Sequence, residues 1–288
     1  MRTAREAAEL QTAIRQLRRD GADEIGFVPT MGALHAGHLS LVEIARRRGA
    51  KVVVSIFVNP TQFGPAEDLA RYPRQPDVDA GMLLGAGCDL IFLPEVETIY
   101  PAGHATRIHV EGAARGYEGD ARPGHFDGVA TVVSILFQMV RPNFAVFGEK
   151  DAQQLAVVRQ MTRDLHLPVE IVAGPTQRES DGLAMSSRNV YLSPEERAAA
   201  PAIYRALLAA KAKIDAGERD AAAVRRTLRR ALRTEPLLRL DYADVVDGVT
   251  FRPLDRLADF VVLPVAARLG RTRLLDNLQL RLPAETGS

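Results

Sequence analysis

Two histidines, His35 and His38, stand where a predicted buried strand passes into a predicted helix within residues 27–41. At this spacing on a helix, both rings would lie on one face. A helix N-terminus offers free backbone N–H groups and the positive end of the dipole, and Gly32 and Gly37 allow a ligand to approach the backbone. This chemistry predicts a site for nucleotide triphosphate. A surface or capping role is one alternative, and zinc is another, although no third ligand lies nearby in the sequence.

A second polar segment, residues 148–154, also lies where a predicted strand passes into a helix. Lys150 is unfavourable near a helix N-terminus unless an anion is bound there, because the helix dipole is positive at that end. Gln154 follows four residues later and is expected on the same helix face. The segment therefore gives mild support to a phosphate site.

Residues 178–189 form a third polar segment, in which Ser186, Ser187 and Arg188 follow an Asp-Gly turn. Hydroxyls and a guanidinium could bind a triphosphate by donating hydrogen bonds to its oxygens. An ordinary flexible linker is the alternative, and the composition of the segment alone favours it.

Two neutral amides, Asn59 and Gln62, follow the near-continuous apolar run at residues 51–58. Such a run is expected of a parallel strand that is covered on both faces, and open α/β sheets bind ligands at the carboxyl ends of their strands. Asn-Pro and Phe-Gly pairs also make the segment a turn, which is compatible with binding.

The elements that must position these residues alternate between strand and helix. Residues 25–58 read as strand, helix and strand, which is a βαβ unit. We expect further helices at 4–19, 77–86 and 130–140, and strands at 89–93, 107–110, 144–147 and 169–172. The predicted fold is α/β, with a Rossmann-like parallel-sheet domain over residues 1–176.

The remainder, residues 177–288, is predicted to be a smaller α+β domain that acts as a lid. Helices are expected at about 194–215 and 219–233, followed by strands at 242–246, 260–265 and 273–275. Arginines crowd the second helix, but no aromatic residues interleave for base stacking, so we interpret them as a solvated face.

Composition narrows the class of protein. The 288 residues carry a formal net charge of +1, so no overall field would recruit nucleic acid or an anionic membrane. The one cysteine, Cys88, excludes an internal disulfide and fits a reducing compartment. No apolar run reaches the length of a membrane span, and the N-terminal residues lack the apolar core of a secretory signal. A cytoplasmic protein with small-molecule substrates is expected.

Four segments together carry a family resemblance: residues 29–38, 57–63, 147–154 and 181–189. In that order, they resemble the signatures of the pantothenate synthetase (pantoate–β-alanine ligase) family. The segments at 35–38 and 185–188 are also similar to the HIGH and KMSKS signatures of class I aminoacyl-tRNA synthetases, which belong to the same nucleotidyltransferase superfamily. Both groups activate a carboxylate by adenylation.

The resemblance implies an activity, its substrates and an assembly. ATP-dependent condensation of (R)-pantoate with β-alanine would yield pantothenate through a bound pantoyl adenylate, releasing AMP and pyrophosphate. ATP is a substrate in this reaction, and Mg²⁺ is expected on its phosphates rather than on dedicated metal ligands. The family also implies a homodimer formed through the N-terminal domain.

The resemblance further assigns site residues. Catalytic roles fall on His35, His38, Lys150, Ser186, Ser187 and Arg188. Contacts with ATP are implied for Met31, Gly32, Ala33, Leu34, His35, Ala36, Gly37, His38, Gly148, Glu149, Lys150, Asp151, Gln177, Met185, Ser186, Ser187 and Arg188. Gln62 and Gln154 would bind pantoate, and Gln62 would also bind β-alanine.

Individual residues within this set differ in what is expected of them. His38 is the better candidate for donating to the α-phosphate, and Asp151 is given only a minor role in placing nucleotide or metal. Gln177 stands where the family commonly has valine, and we expect backbone rather than side-chain contacts with the nucleotide there. His125 is expected to be structural or interfacial, because no partner base or nucleophile is evident near it in sequence.

Two other functions remain open on the residues alone. A related nucleotidyltransferase that transfers CMP or AMP to a phosphorylated alcohol would share the turn at 35–38. The phosphate of its acceptor would require cationic side chains, whereas Gln62 and Gln154 are neutral. A nucleotide-sensing module without catalysis is the second. Four intact residues argue against it: His35, His38, Lys150 and Arg188.

Overall fold

The computed structural model describes residues 1–65, 67 and 69–283. The chain divides into two compact units. The first unit comprises Met1–Gly148 and Val157–Gly174, and the second comprises Glu149–Ala156 and the described residues from Pro175 onward. The predicted domain boundary at residues 176 and 177 stays a prediction, as does the lid role.

The first unit is built on alternating strands and helices. Its strands are β1 (Arg2–Ala4), β2 (Ile25–Thr30), β3 (Lys51–Ile56), β4 (Leu90–Phe92), β5 (Phe144–Gly148) and β6 (Glu170–Gly174). Its helices are α1 (Ala7–Arg19), α2 (Ala36–Arg47), α3 (Pro76–Gly85), α4 (Val96–Ile99), α5 (Tyr117–Ala121), α6 (His125–Val140) and α7 (Ala152–Asp164), of which α7 begins within the second unit.

All pairings in this six-stranded sheet are parallel, in the order β1-β4-β3-β2-β5-β6. Apolar side chains of β2, β3 and β5 are buried together with those of α2 and α3, which explains the near-continuous apolar run predicted for β3. The carboxyl ends of β2 and β3 open into residues 31–35 and 57–62. The Rossmann-like α/β prediction is confirmed, and it places two candidate segments at one edge of the sheet.

Three local predictions for this unit were wrong. Residues 2–4, which the helix prediction partly covered, form a strand that pairs with β4. Residues 107–110 form no strand, and the backbone N–H of Ile108 donates instead to the Thr131 hydroxyl. Helix α6 begins at His125 rather than near residue 130, because Gly124 adopts a left-handed conformation that starts it.

The second unit packs three helices with an antiparallel sheet. The helices are α8 (Pro194–Ala199), α9 (Ala202–Asp215) and α10 (Ala221–Leu232), and the strands are β7 (Leu238–Ala243), β8 (Val246–Asp247), β9 (Phe260–Leu269) and β10 (Thr272–Arg281). Strand β9 pairs with β10, β7 and β8. The α+β prediction is confirmed. The strands are longer than predicted, and the helix expected at 194–215 is divided at residues 200–201, where Pro201 precedes α9.

Cys88 lies buried, and burial raises the pKa of its thiol to about 12. The thiol is therefore neutral at physiological pH and packs as a small apolar group. Among the residues that the structure describes, no helix is long and apolar enough to cross a membrane.

Candidate functional site

The turn between β2 and α2 is held by a buried carboxylate. Asp79, on α3, is 1% exposed, and its two oxygens accept the backbone N–H groups of Ala33 and Leu34, each at 2.9 Å. Gly32 has a φ of +81°, and a Cβ there would lie 3.0 Å from an Asp79 oxygen. Glycine is therefore required at the point where the carboxylate meets the turn. Sequence reasoning missed Asp79, since only the folded chain brings α3 beside this turn.

His35 and His38 form the N-terminal cap of α2 together. His35 is the N-cap residue, and its Nδ1 accepts the backbone N–H of Gly37 at 3.1 Å. The backbone N–H of His35 in turn donates to Nδ1 of His38 at 3.3 Å, and the ring centroids are 4.2 Å apart. An accepting Nδ1 requires the proton of a neutral imidazole to sit on Nε2. Each ring thus has a defined tautomer whose Nε2–H could donate to an anion.

The capping geometry corrects one detail of the sequence interpretation. The rings do lie close together, but His35 has extended backbone angles and precedes the helix rather than lying on its face. The capping alternative is also correct, because both rings bond the backbone through Nδ1. Capping and ligand binding are compatible, since they use different ring nitrogens.

Gln62 ends a short 3₁₀ helix, Pro60–Gln62, beyond the carboxyl end of β3. The Oδ1 of Asn59 accepts the backbone N–H of Thr61 at 3.2 Å and the Tyr100 hydroxyl at 2.8 Å. The Nδ2 of Asn59 must then point the other way, where it donates to Oε1 of Gln62 at 3.1 Å. The amide NH₂ of Gln62 consequently faces Met31, whose sulfur is 3.0 Å away and is a weak acceptor.

The orientation of Gln62 has a chemical consequence. An amide whose NH₂ group meets only a weak acceptor can exchange that partner for a carboxylate or hydroxyl oxygen of a ligand. Asn59 was recognised in the sequence as a polar residue at the strand end, but its role in orienting Gln62 depends on Tyr100, which lies far along the chain.

Residues 122–128 contact the main chain of Gln62 and hydrogen-bond its carbonyl oxygen. The carbonyl oxygen of Gln62 accepts from Nδ1 of His125 at 2.8 Å and from Nη2 of Arg122 at 3.3 Å. Glu67 pairs with Arg122 through contacts of 2.8 and 2.5 Å. Helix α6 approaches so closely that a Cβ on Gly128 would lie 2.5 Å from the carbonyl oxygen of Thr61.

Two ionisable groups in this cluster have shifted pKa values. Burial, followed by the nearby charge of Arg122, lowers the pKa of His125 to about 4, so its ring is neutral at pH 7. Burial alone would raise the pKa of Glu67, but the hydrogen bonds and charge of Arg122 outweigh it and lower the pKa. The cluster is therefore an ion pair beside a neutral imidazole.

In the second unit, β10 anchors the segment that carries Lys150. The Nδ2 of Asn277 donates to the carbonyl oxygens of Glu149 at 2.9 Å and Lys150 at 2.8 Å. Lys150 lies 3.7 Å from the Asp151 carboxylate, and the segment forms a 3₁₀ turn at Glu149–Asp151 that leads into α7. Gln154 is half-buried on that helix. The position of Lys150 at a helix start is as predicted.

The segment containing Ser186, Ser187 and Arg188 is folded rather than an ordinary flexible linker. Its base is an extended pairing in which the backbone N–H of Met185 donates to the carbonyl of Gln177 at 2.9 Å. Ser186 caps the 3₁₀ helix Ser187–Tyr191 by accepting the backbone N–H of Arg188 at 3.2 Å. The linker alternative was therefore wrong, because side-chain contacts that the composition does not reveal hold this segment.

Arg178 supplies the main anchor of that segment. Its guanidinium pairs with Asp276 of β10 at 2.6 and 2.9 Å and lies 3.7 Å from the ring centroid of Tyr204. Asp276 is 5% exposed, so this is a buried ion pair. Arg178 begins the third polar segment of the sequence, and nothing in that segment indicates its partner.

The candidate residues thus fall into two groups. The first unit carries Met31, Gly32, Ala33, Leu34, His35, Ala36, Gly37, His38, Gln62 and Gly148. The second unit carries Glu149, Lys150, Asp151, Gln154, Gln177, Met185, Ser186, Ser187 and Arg188. Within the described part of the chain, no three His, Cys, Asp or Glu side chains are grouped so that they could hold a metal ion.

Comparisons with known proteins agree over nearly the whole chain. The family model described as pantoate-beta-alanine ligase matches residues 2–279. The chain is 58% identical to pantothenate synthetase of Chloroflexus aurantiacus, covering 90% of this chain and 92% of that protein. It is 53% identical to the pantothenate synthetase of Herpetosiphon aurantiacus over 92% of this chain and 96% of that protein.

Solved structures give the same result. The crystal structure of pantothenate synthetase from Thermus thermophilus has a TM-score of 0.90 and 53% sequence identity to this chain. The match covers 96% of this chain and 99% of that one. The crystal structure of pantoate-beta-alanine ligase from Francisella tularensis, complexed with beta-gamma ATP and beta-alanine, has a TM-score of 0.77 and 34% identity. The match covers 96% of this chain and 97% of that one.

Proposed function

The chain belongs to the pantoate–β-alanine ligase family, and we propose that it condenses pantoate with β-alanine at the expense of ATP. The observation that carries this proposal is similarity at 50–58% identity to pantothenate synthetases, with coverage of nearly the entire chain. The bonded turn at His35 and His38 and the oriented amide of Gln62 are the local features that fit the chemistry.

The first step is adenylation of pantoate. A carboxylate oxygen attacks the α-phosphorus of ATP, and the bond from that phosphorus to the bridging oxygen breaks, so that pyrophosphate leaves. Such a reaction depends on positioning and on stabilising the charge that develops on phosphate oxygens. His38 donates from Nε2 to the α-phosphate, and His35 contacts the neighbouring phosphates.

Cationic groups assist the departure of pyrophosphate. Lys150, Ser186, Ser187 and Arg188 neutralise and bond the β- and γ-phosphates, and Asp151 has a minor role in placing nucleotide or metal. ATP enters as its Mg²⁺ complex, because Mg²⁺ is commonly carried by substrate phosphates and retains several waters. Backbone groups around residues 31–37, 148–149, Gln177 and Met185 bind the nucleotide, so glutamine in place of valine at position 177 is tolerated.

Pantoate is held by amides rather than by a cation. A full counter-charge would reduce the nucleophilicity of the carboxylate, whereas the amide NH₂ groups of Gln62 and Gln154 orient it and leave its charge in place. In the second step, the neutral amine of β-alanine, positioned near Gln62, attacks the acyl carbon. The bond from carbon to the AMP oxygen breaks, AMP leaves, and the surplus amine proton passes to solvent.

Pantoate-dependent release of AMP tests this function. The purified protein with ATP alone should release no AMP, addition of pantoate should release AMP and pyrophosphate, and addition of β-alanine should produce pantothenate. AMP or CMP transfer to a phosphorylated alcohol would support the related nucleotidyltransferase instead. Nucleotide binding with no turnover of any substrate would support the sensing module.

Two finer properties extend the proposal beyond the chemistry. The chain forms a homodimer through its N-terminal domain, which sedimentation equilibrium would test by the mass in solution. It acts in the cytoplasm, where ATP is available, and localisation of a tagged protein in cells of its host would test that. A monomer at working concentrations would contradict the first of these.

A further inference from the structure

We propose that Arg122 and His125 are positioning residues that fix the substrate-binding amide of Gln62 through its main-chain carbonyl. This inference rests on the proposed function, because it assumes that Gln62 binds pantoate. It assigns a role in the reaction to His125, which the sequence had left as structural or interfacial.

The sequence places these two side chains together through one turn. The backbone N–H of His125 donates to the carbonyl of Arg122 at 3.0 Å, and Pro123 and Gly124 lie between them. Gly124 has φ and ψ of 81° and −8°, the angles of the third residue of a type II turn, in which proline commonly precedes glycine. Residues at the two ends of such a turn are close in space, so their side chains can act on one target.

That shared target is the carbonyl oxygen of Gln62, with contacts of 2.8 Å from His125 and 3.3 Å from Arg122. The Nε2 of His125 lies 3.1 Å from Nη1 of Arg122. Because a guanidinium can only donate, Nε2 is the acceptor, and the proton of the neutral ring must sit on Nδ1. Arg122 thus selects the tautomer that lets His125 donate to Gln62.

Charge balance allows this arrangement to be buried. Arg122 and Glu67 have side chains only 20% and 25% exposed, and their pairing neutralises both charges. His125 is 8% exposed and remains neutral, so it adds no charge beside the Arg122–Glu67 ion pair. A protonated His125 would place a second cation against Arg122 and remove the acceptor at Nε2.

The contacts of His125 and Arg122 with the Gln62 carbonyl complement the contacts on the side chain of Gln62. Asn59 orients the amide from one side at 3.1 Å, while His125 and Arg122 hold the peptide from which the side chain projects. Loss of the His125 contact leaves this carbonyl with only the longer contact from Arg122 and lets the residue rotate away. The expected consequence is weaker binding of the ligand that Gln62 contacts, with nucleotide binding unaffected.

Steady-state kinetics of two His125 variants test the inference. His125→Leu removes the donor and should raise KM for pantoate by about five- to tenfold, the effect of losing one buried hydrogen bond, with KM for ATP within about twofold of wild type. His125→Asn keeps a donor at the position of Nδ1 and should restore KM for pantoate to within about threefold. The exposed histidine variant His109→Leu serves as the matched control and should change neither constant.

The outcomes separate the inference from the function. Wild-type protein without pantoate-dependent AMP release would overturn both. Wild-type activity combined with equal changes in the two KM values, or with no rescue by His125→Asn, would overturn the inference and leave the function standing.

A measurement on the wild-type protein covers the case in which His125→Leu does not fold. In ¹⁵N-histidine-labelled protein, the His125 ring should be neutral and protonated at Nδ1 from pH 8 to pH 5, and its signals should shift on addition of pantoate. A ring protonated at Nε2, or signals that pantoate leaves unmoved, would overturn the inference.

Discussion

Each of the residues His35 and His38 has two different tasks. Their Nδ1 atoms accept backbone N–H groups at the start of α2, at 3.1 and 3.3 Å, and this bonding assigns the ring protons to Nε2. Structural capping and phosphate chemistry therefore use opposite sides of the same ring. Truncation of either residue to alanine removes both, so a variant that separates the two roles is the informative one.

His38→Asn is such a variant. Its side-chain oxygen can still accept the His35 N–H, but no group replaces Nε2–H. We expect the rate of adenylation to fall by about 10²- to 10³-fold, the usual effect of losing a donor to transition-state charge, while the Kd for pantoate changes by less than about threefold. Single-turnover release of pyrophosphate measures the adenylation rate, and calorimetric titration with pantoate measures its Kd.

His38→Ala is the paired comparison. It should match His38→Asn in rate and in addition lose about 1 kcal/mol of stability, because the capping contact is removed. Equal losses in the adenylation rate and in pantoate affinity, in either variant, would refute the transition-state role of His38.

His125 predicts a specific dependence of stability on pH. Burial, with the charge of Arg122 as the second cause, lowers its pKa from 6.5 to about 4 in the folded protein. Between these values the unfolded chain binds more protons, so the free energy of unfolding should fall with falling pH by up to about 1.4 kcal/mol per unit. Above pH 7 this residue should contribute no pH dependence.

Urea unfolding of wild type and His125→Asn at pH 7, 6 and 5 measures the sign and the size of this change in the free energy of unfolding. Other groups titrate in both proteins, so the difference between the two slopes isolates His125. Wild type should lose stability more steeply on acidification than the variant. Identical slopes would show that His125 has an ordinary pKa.

At the scale of elements, the close approach of α6 to the turn at residues 59–62 depends on Gly128. Nδ2 of Asn59 donates to the carbonyl of Gly128 at 3.1 Å, and an added Cβ would lie 2.5 Å from the Thr61 oxygen and 2.7 Å from the Gln62 nitrogen. Backbone atoms of a bonded turn cannot move aside without breaking these contacts.

Gly128→Ala should therefore displace the turn. We expect a loss of about 1–3 kcal/mol in stability and a higher KM for pantoate. Gly81→Ala in α3 is the matched control, because nothing lies within 4 Å of its added Cβ. That helical substitution should be neutral or should stabilise the protein by up to about 1 kcal/mol. Similar effects of the two substitutions on KM would contradict the role given to Gly128.

The elements that sequence patterns predicted well are those whose signal is local. Strand β3 follows from its apolar run, and α2 follows from the glycines and the helical spacing around it. Strand β1 has no such signal, because its three residues are defined by pairing with β4. Asp79 and Arg178 are similar cases, since their partners at residues 33–34 and 276 lie far away in the sequence.

At the scale of the whole molecule, the candidate residues are divided between two compact units with separate cores. The four segments that carry the family resemblance lie between residues 29 and 189, and the family model extends the similarity to residues 2–279. The C-terminal sheet was predicted only in outline, because which residues of its two ten-residue strands are buried depends on the elements packed against them. Composition did not by itself point to any reaction.

The central claim is that the carboxylate of pantoate attacks the α-phosphorus of ATP. Pantoate labelled with ¹⁸O at both carboxyl oxygens, incubated with ATP, β-alanine and the purified protein, tests this most directly. Mass spectrometry should find one ¹⁸O atom in each AMP released, with the second label retained in the amide carbonyl of pantothenate. AMP without label, or label in pyrophosphate or phosphate, would contradict the adenylate and with it the proposed mechanism.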